Sequence, residues 1–210
     1  MRSYVDNIEN YTLKSDSLLW KEFLQGDIVA YEHIYRTYLP ILYNYGCKIC
    51  QEESLVLDSI QELFITLLEK STRLSETDSI KFYLLKSLKT TLIRTLEKQK
   101  KRKNKENKAA FDVSFYFDEN FDNSIREEQI AKLKQALENL SPRQKEAITL
   151  RFYDNLSFDE ISEIMNIEVN SVYKILYKAI DNLHQKVNLN AKNPILQAGI
   201  INLLFLLNPK

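Results

Sequence analysis

Residues 140–186 read LSPRQKEAITLRFYDNLSFDEISEIMNIEVNSVYKILYKAIDNLHQK, and this stretch decides the fold. It predicts three helices, the last two arranged as a helix-turn-helix. Ser141-Pro142 opens the first, a Ser N-cap followed by Pro at the position where a missing N–H costs nothing. Ser157 opens the second, and Glu160 three residues on completes a capping box. Ile161, Ile164 and Met165 form its apolar face. Asn166 then tolerates the left-handed backbone that a tight helix-to-helix turn requires. Ile167 plugs the turn, and a third helix starts near Glu168 to Asn170. On it Val172, Ile175/Leu176, Ala179 and Leu183 recur at helical spacing and face inward. Asn170, Ser171, Tyr173, Lys174, Tyr177 and Lys178 are left outside. A polar, cationic and aromatic face near a helix N-terminus is what a major-groove reader presents. Any three-helix bundle has a polar outer face. Here the preceding helix and both caps also fall in register, which favours DNA binding.

With 210 residues the chain has room for one large domain or two small ones. Gly 3 and Pro 4 are few, and Leu, Ile, Lys and Glu abound, so the expected class is all-α. Cys47 and Cys50 form a C-x-x-C spacing, but no second pair exists, and His33 and His184 lie far off in sequence. A structural zinc site takes four ligands and a redox motif a βαβ context, so two small buried thiols on one amphipathic helix is the better reading. Neither a metal nor a cofactor is expected. No signal-peptide segment is visible at the N-terminus, which predicts a cytoplasmic chain. The 29 basic and 29 acidic residues cancel. A free-standing DNA binder carries a basic excess to displace counterions, so this chain should bind DNA weakly alone and depend on a partner.

Along the chain, residues 1–16 have no clear period and read as a loosely held lead-in. A helix from Ser17 has Leu18, Leu19, Phe23 and Leu24 inward, and Gly26-Asp27 ends it. The next, about Ile28 to Cys50, carries a stripe of Ala30, Tyr31, Ile34, Tyr35 and Tyr38, with Pro40 as a point of kinking or splitting. Glu53 to Lys70 packs Val56, Ile60, Leu63, Phe64, Leu67 and Leu68 on one face and leaves Asp58, Gln61, Glu62, Thr66 and Glu69 on the other. A further helix, about Asp78 to Lys98, has Ile80, Phe82, Leu84, Leu85, Leu88, Leu92 and Leu96 inward. Helix then dissolves into KQKKRKNKENK, a block of like charge that reads as a solvated linker with a possible phosphate contact. Acids and aromatics follow from Asp112 to Asp122, then a short helix from about Ser124 to Asn139. The tail segment Ile195 to Leu207 is apolar but thirteen residues long. At ~1.5 Å per residue it falls short of a ~30 Å bilayer core, so no stable membrane insertion is expected. The domains expected are 17–98 and 125–187, between a lead-in 1–16, a linker 99–124 and a tail 188–210.

Together these pieces resemble an extracytoplasmic-function sigma factor of bacterial RNA polymerase, over about residues 17–187. Asp58-Ser59-Ile60-Gln61-Glu62-Leu63-Phe64 resembles the family's D-x-x-Q-E-x-F, on the helix that docks on the polymerase clamp. The resemblance therefore implies that Asp58, Gln61, Glu62 and Phe64 contact core RNA polymerase. The following loop and helix, Leu74 to Arg102, resemble the part that melts and reads the −10 element, which implies DNA contacts by Lys86, Lys89 and Arg94. The chain departs from the family there, with Lys89-Thr90, Arg94 and Glu97 where Arg-Asn, Asp and Arg are usual. Ile175 and Ile180 likewise stand where Arg is frequent. The three C-terminal helices resemble the domain that reads the −35 element.

No Gly-rich phosphate loop, metal cluster or nucleophile–base pair is visible, so the chain is not expected to be an enzyme. It should act by binding core RNA polymerase and promoter DNA, with an anti-sigma factor as a further candidate partner. Lys174 and Lys178 are the expected direct DNA contacts, Ser171 and Asn170 sit near base edges, and Arg143 and Arg151 suit phosphates. The loop Ser71 to Ser79, with Phe82 and Tyr83, is the candidate holder of unstacked bases. Two alternatives stay open. One is a conventional helix-turn-helix regulator, though residues 17–108 lack the strand pattern of its usual sensor domain. The other is an inactive sigma relative that titrates polymerase.

Overall fold

The computed structural model describes residues 14–103 and 135–187, and every element among them is helical. The chain divides into two compact units, Met1–Ala110 and Phe111–Lys210. The expected linker beyond Lys103, the start of the helix predicted from Ser124 and the tail from 188 lie outside the described residues.

The first unit contains α1 (Asp16–Leu24), α2 (Ile28–Ile49), α3 (Glu53–Lys70), a 3₁₀ turn (Ser71–Arg73) and α4 (Ile80–Lys103). Local chemistry sets most of the boundaries. The Ser15 hydroxyl accepts from the Leu18 amide, and Gly26, at φ +92, makes the turn after α1. The Asp27 carboxylate then accepts from the amides of Val29 (2.8 Å) and Ala30 (3.2 Å) to start α2. Helix α2 packs against the other three, and α3 packs on α4. Trp20, Ile34, Leu42, Tyr45, Ile60, Phe64 and the α4 leucines 84, 85, 88 and 92 are fully buried between them. Each such side chain stabilises the fold by about 1.5–3 kcal/mol relative to exposure. At Gly46, in α2, a Cβ would stand 2.5 Å from Val56 Cγ1 of α3, so the close approach of the two helices requires glycine.

Several expectations need correction. Leu18 and Leu68 are exposed and Leu24 is half-buried, while Trp20 faces the core with Leu19 and Phe23. Helix α2 runs unbroken through Pro40, which is exposed, so the amide it lacks leaves a gap on the wet side only. Helix α4 does not dissolve at Lys98 but continues to Lys103. The described residues of the lead-in are tied to the unit, since Lys14 pairs with Glu22 at 2.7 Å and Ser15 and Asp16 both cap helices.

The second unit contains a helical turn at 135–138, then α5 (Pro142–Ile148), a π-helical turn (Thr149–Tyr153), α6 (Phe158–Met165) and α7 (Val169–Val187). The expected Ser157–Glu160 capping box forms, and the Ser141 cap makes a second one with Gln144, each with reciprocal bonds. The π turn closes on the Asp154 amide bonded to the Thr149 carbonyl at 3.1 Å, and Asn155 follows at φ 56. This widened turn swings Leu156 back into the core, where its amide reaches the Leu150 carbonyl. Helices α5 and α6 both pack on α7 over Ala147, Leu150, Ile161, Ile164, Val172, Leu176, Ala179, Ile180 and Leu183.

Candidate functional site

The turn between α6 and α7 is built as the sequence predicts. Asn166 adopts φ 51, ψ 54, and its amide bonds to the Glu163 carbonyl while the Ile167 amide bonds to that of Ser162. Those two bonds are a Schellman motif, which satisfies the last carbonyls of α6 and turns the chain into α7 within three residues. The burial pattern of α7 then orients its face. Val172, Leu176, Ala179, Ile180 and Leu183 are inside, and Asn170, Tyr173, Lys174, Tyr177 and Lys178 are exposed, with Ser171 and Ile175 half-buried. Tyr177 is 72% exposed, a large aromatic ring in water beside two lysines. Ile180 is a core residue of this helix. The outer face of α6 is acidic, with Asp159 and Glu163 exposed. Among the described residues of this unit, Lys174 and Lys178 are exposed on α7 and Arg143 on α5.

The two arginines proposed for phosphates part company. Arg143 is exposed in the first turn of α5. Arg151 is turned inward: its Nη1 donates to the Leu156 carbonyl at 2.7 Å, and its guanidinium lies 4.8 Å from the Phe158 ring centroid. The half-buried guanidinium thus holds the loop after the π turn, a structural task beside the phosphate contact expected of it.

On α3, Asp58, Gln61 and Glu62 all point to solvent along one side. Phe64 does not: it is 2% exposed and meets Tyr35 edge-on at 4.8 Å and Tyr31 at 6.1 Å. Its assignment to polymerase contact is corrected accordingly, since a buried ring packed against half-buried Tyr31 and exposed Tyr35 supports the helix from behind. The sequence reading missed Leu57, Ile65 and Leu68, which are exposed beside the acidic residues. A helical projection held the signal, because Leu57 and Ile65 fall off the core stripe of Val56, Ile60, Leu63, Phe64 and Leu67.

The loop before α4 is tied down by residues far away in sequence. Trp20 Nε1 donates to the Ser75 carbonyl at 3.0 Å, and the Asp16 carboxylate accepts from the Ile80 amide at 2.8 Å, capping α4 from α1. Tyr38 donates its hydroxyl to the same carboxylate at 3.1 Å. The burial of Tyr38, and then the Asp16 charge beside it, hold its phenol well above the usual tyrosine range. Tyr83 packs its ring 5.0 Å from Trp20, and burial raises its pKa as well, so it serves the loop's support more than its surface. Phe82 is half-buried with Lys86 Nζ 5.3 Å from its ring centroid. Lys86 and Arg94 are exposed on α4 and Lys89 is half-buried.

The C-x-x-C pair sits at the end of α2, with Cys50 buried and Cys47 half-buried, both free thiols. Burial pushes the Cys47 thiol up, which favours its protonated form. His33 is held below its usual pKa by partial burial. Among the described residues no group of three or more His, Cys, Asp or Glu is placed to hold a metal ion, and no helix is long and apolar enough to cross a membrane.

Comparison with known proteins adds to this geometry. Residues 34–102 match the family model for sigma-70 region 2, and residues 130–183 that for sigma-70 region 4. RNA polymerase sigma factor SigV of Bacillus subtilis (strain 168) is 28% identical over 138 residues, spanning 66% of this chain and 79% of the relative. Among solved structures, the sigma factor RpoE of Bartonella quintana, crystallised with the anti-sigma factor NepR, aligns with a TM-score of 0.54 at 15% identity. That alignment covers 77% of this chain and 98% of RpoE. CnrH, in complex with the cytosolic domain of CnrY, aligns with a TM-score of 0.53 at 16% identity over 85% of this chain and 100% of CnrH.

Proposed function

Because the chain belongs to the sigma-70 family, with region 2 followed by region 4, we propose that it binds core RNA polymerase and directs promoter-specific initiation of transcription. It is of the compact extracytoplasmic-function kind. One observation carries the reading: both regions match in the family's order, each on a separate helical unit that exposes a face suited to its task. In the first unit, Asp58, Gln61 and Glu62 form the core-polymerase contact, and the exposed Leu57, Ile65 and Leu68 supply the apolar area such an interface desolvates. The braced loop 71–79 with Phe82 receives unstacked −10 bases, and Lys86, Lys89 and Arg94 lie along the helix behind it for phosphates. In the second unit, the exposed face of α7 enters the major groove at the −35 element through Asn170, Ser171, Tyr173, Lys174, Tyr177 and Lys178, and Arg143 takes a phosphate.

The work is binding throughout. Zero net charge makes core polymerase the source of most of the affinity for DNA, with the two units adding base contacts. An anti-sigma factor is the expected regulator, by analogy with NepR, the anti-sigma factor bound to RpoE. Run-off transcription with core RNA polymerase on a genomic promoter pool tests the reading. Discrete new start sites in the presence of the protein support it. Core binding without start sites identifies a titrating relative, and DNA binding without core binding identifies a conventional regulator.

A further inference from the structure

Three side chains from three elements of the second unit form one stack. The Phe158 and Tyr173 rings lie 4.0 Å apart and within 13° of parallel. The Arg151 guanidinium lies against the same Phe158 ring while its Nη1 holds the Leu156 carbonyl. Phe158 is buried at the first position of α6, directly after the Ser157 cap. Tyr173 is 42% exposed in the first turns of α7, with Asn170, Lys174 and Tyr177 as its neighbours on that face. A tyrosine has two soft side-chain torsions, and a parallel contact at 4.0 Å restricts both. The outer edge of the ring and its hydroxyl are thereby held in one place on the exposed face of α7.

A hydrogen bond to a base edge weakens steeply with distance and angle, so a reader gains selectivity when its donor is fixed before binding. We infer that the Arg151–Phe158 pair positions Tyr173 to read a base edge in the major groove. Discrimination at one promoter position is then set by two residues that do not touch DNA. The inference rests on the −35-reading role proposed for α7 and adds to it a specificity-determining residue, Tyr173, and two positioning residues. One ring face of Tyr173 is covered by Phe158, which leaves the phenol edge and hydroxyl to meet a base acceptor such as a purine N7.

The test uses the full chain with core RNA polymerase on a promoter library randomised across the upstream element, reading transcript yield for every base at every position. Tyr173→Phe keeps the stack and removes the hydroxyl; Phe158→Leu keeps an apolar side chain and removes the stack; Phe158→Tyr keeps the ring. Tyr173→Phe and Phe158→Leu should each lower the preferred-base ratio at the same one or two adjacent positions by about fivefold or more. All other positions and the salt dependence should stay unchanged, and Phe158→Tyr should retain the preference. Arg151→Lys, which keeps the charge but loses the planar fork, should show a partial loss at the same position. Equal losses at every position would reduce the stack to a folding element and overturn the inference, as would a Tyr173-dependent preference that survives Phe158→Leu intact. A wild-type protein with no upstream base preference would overturn the −35 reading itself, and the inference with it.

Discussion

Replacing Asp16 by Ala should destabilise the first unit far more than its place at the start of α1 suggests. Its carboxylate accepts from the Ile80 amide at 2.8 Å and from the Tyr38 hydroxyl at 3.1 and 3.3 Å. Loss of the cap on α4 costs about 1 kcal/mol. The Tyr38 hydroxyl, on a buried residue, is left without its acceptor at a cost of about 1–3 kcal/mol. The sum, about 2–4 kcal/mol, corresponds to a fall of roughly 10–30 °C in the melting temperature of a unit this size. Trp20 is the chain's single tryptophan and is fully buried in the first unit, so its fluorescence during thermal or urea unfolding follows that unit alone. Tyr38→Phe removes one of the two donors, and in that background Asp16→Ala should cost only the cap, about 1 kcal/mol. A loss below about 1 kcal/mol for Asp16→Ala, or an equal loss with and without Tyr38, would refute the shared-acceptor reasoning.

Gly46→Ala should destabilise the same unit by about 1–3 kcal/mol despite alanine's better helix propensity, because stiff, buried Val56 cannot yield; Trp20 fluorescence reports the loss, and Val56→Ala should partly restore it. Alkali should weaken this unit: Tyr31, Tyr38 and Tyr83 have pKa values raised chiefly by burial, so their stabilisation is complete below about pH 10 and is lost above it, as the unfolded chain gives up protons first. Urea midpoints between pH 8 and 11 should fall, less steeply in Tyr38→Phe. Asn166→Ala should cost about 1–2 kcal/mol through its left-handed backbone whereas Asn166→Gly should cost little, as measured by helical circular dichroism of the full chain. Arg143→Ala should lower the log–log salt slope of promoter binding by the polymerase complex by about 0.9, the signature of one released phosphate counterion.

The helices were legible in the sequence because their signals are local. Ser141-Pro142, Ser157 with Glu160, and Asn166 carry their capping chemistry within three or four residues, and the structure forms each bond they imply. The outer face of α7 was equally legible, since a helix with a clear apolar stripe can bury only one side. The sequence motif that marked α3 as an interface also swept in Phe64, because a motif records which residues occur together without saying which way each one points.

Tertiary contacts decided the rest. Asp16 looks like a residue of a loose leader until α4, 64 positions on, brings its first amide to that carboxylate. Trp20 holds Ser75 across 55 positions, and Arg151 turns from solvent to the Leu156 carbonyl only because a π turn swings that carbonyl into its reach. By itself the sequence determined the helical class, the order of the elements, the helix-turn-helix and the face it exposes, all products of short-range periodicity and capping. Which polar side chains are spent inside the protein and which remain for a partner is a property of distances between segments far apart in the chain, and only the folded structure sets those distances.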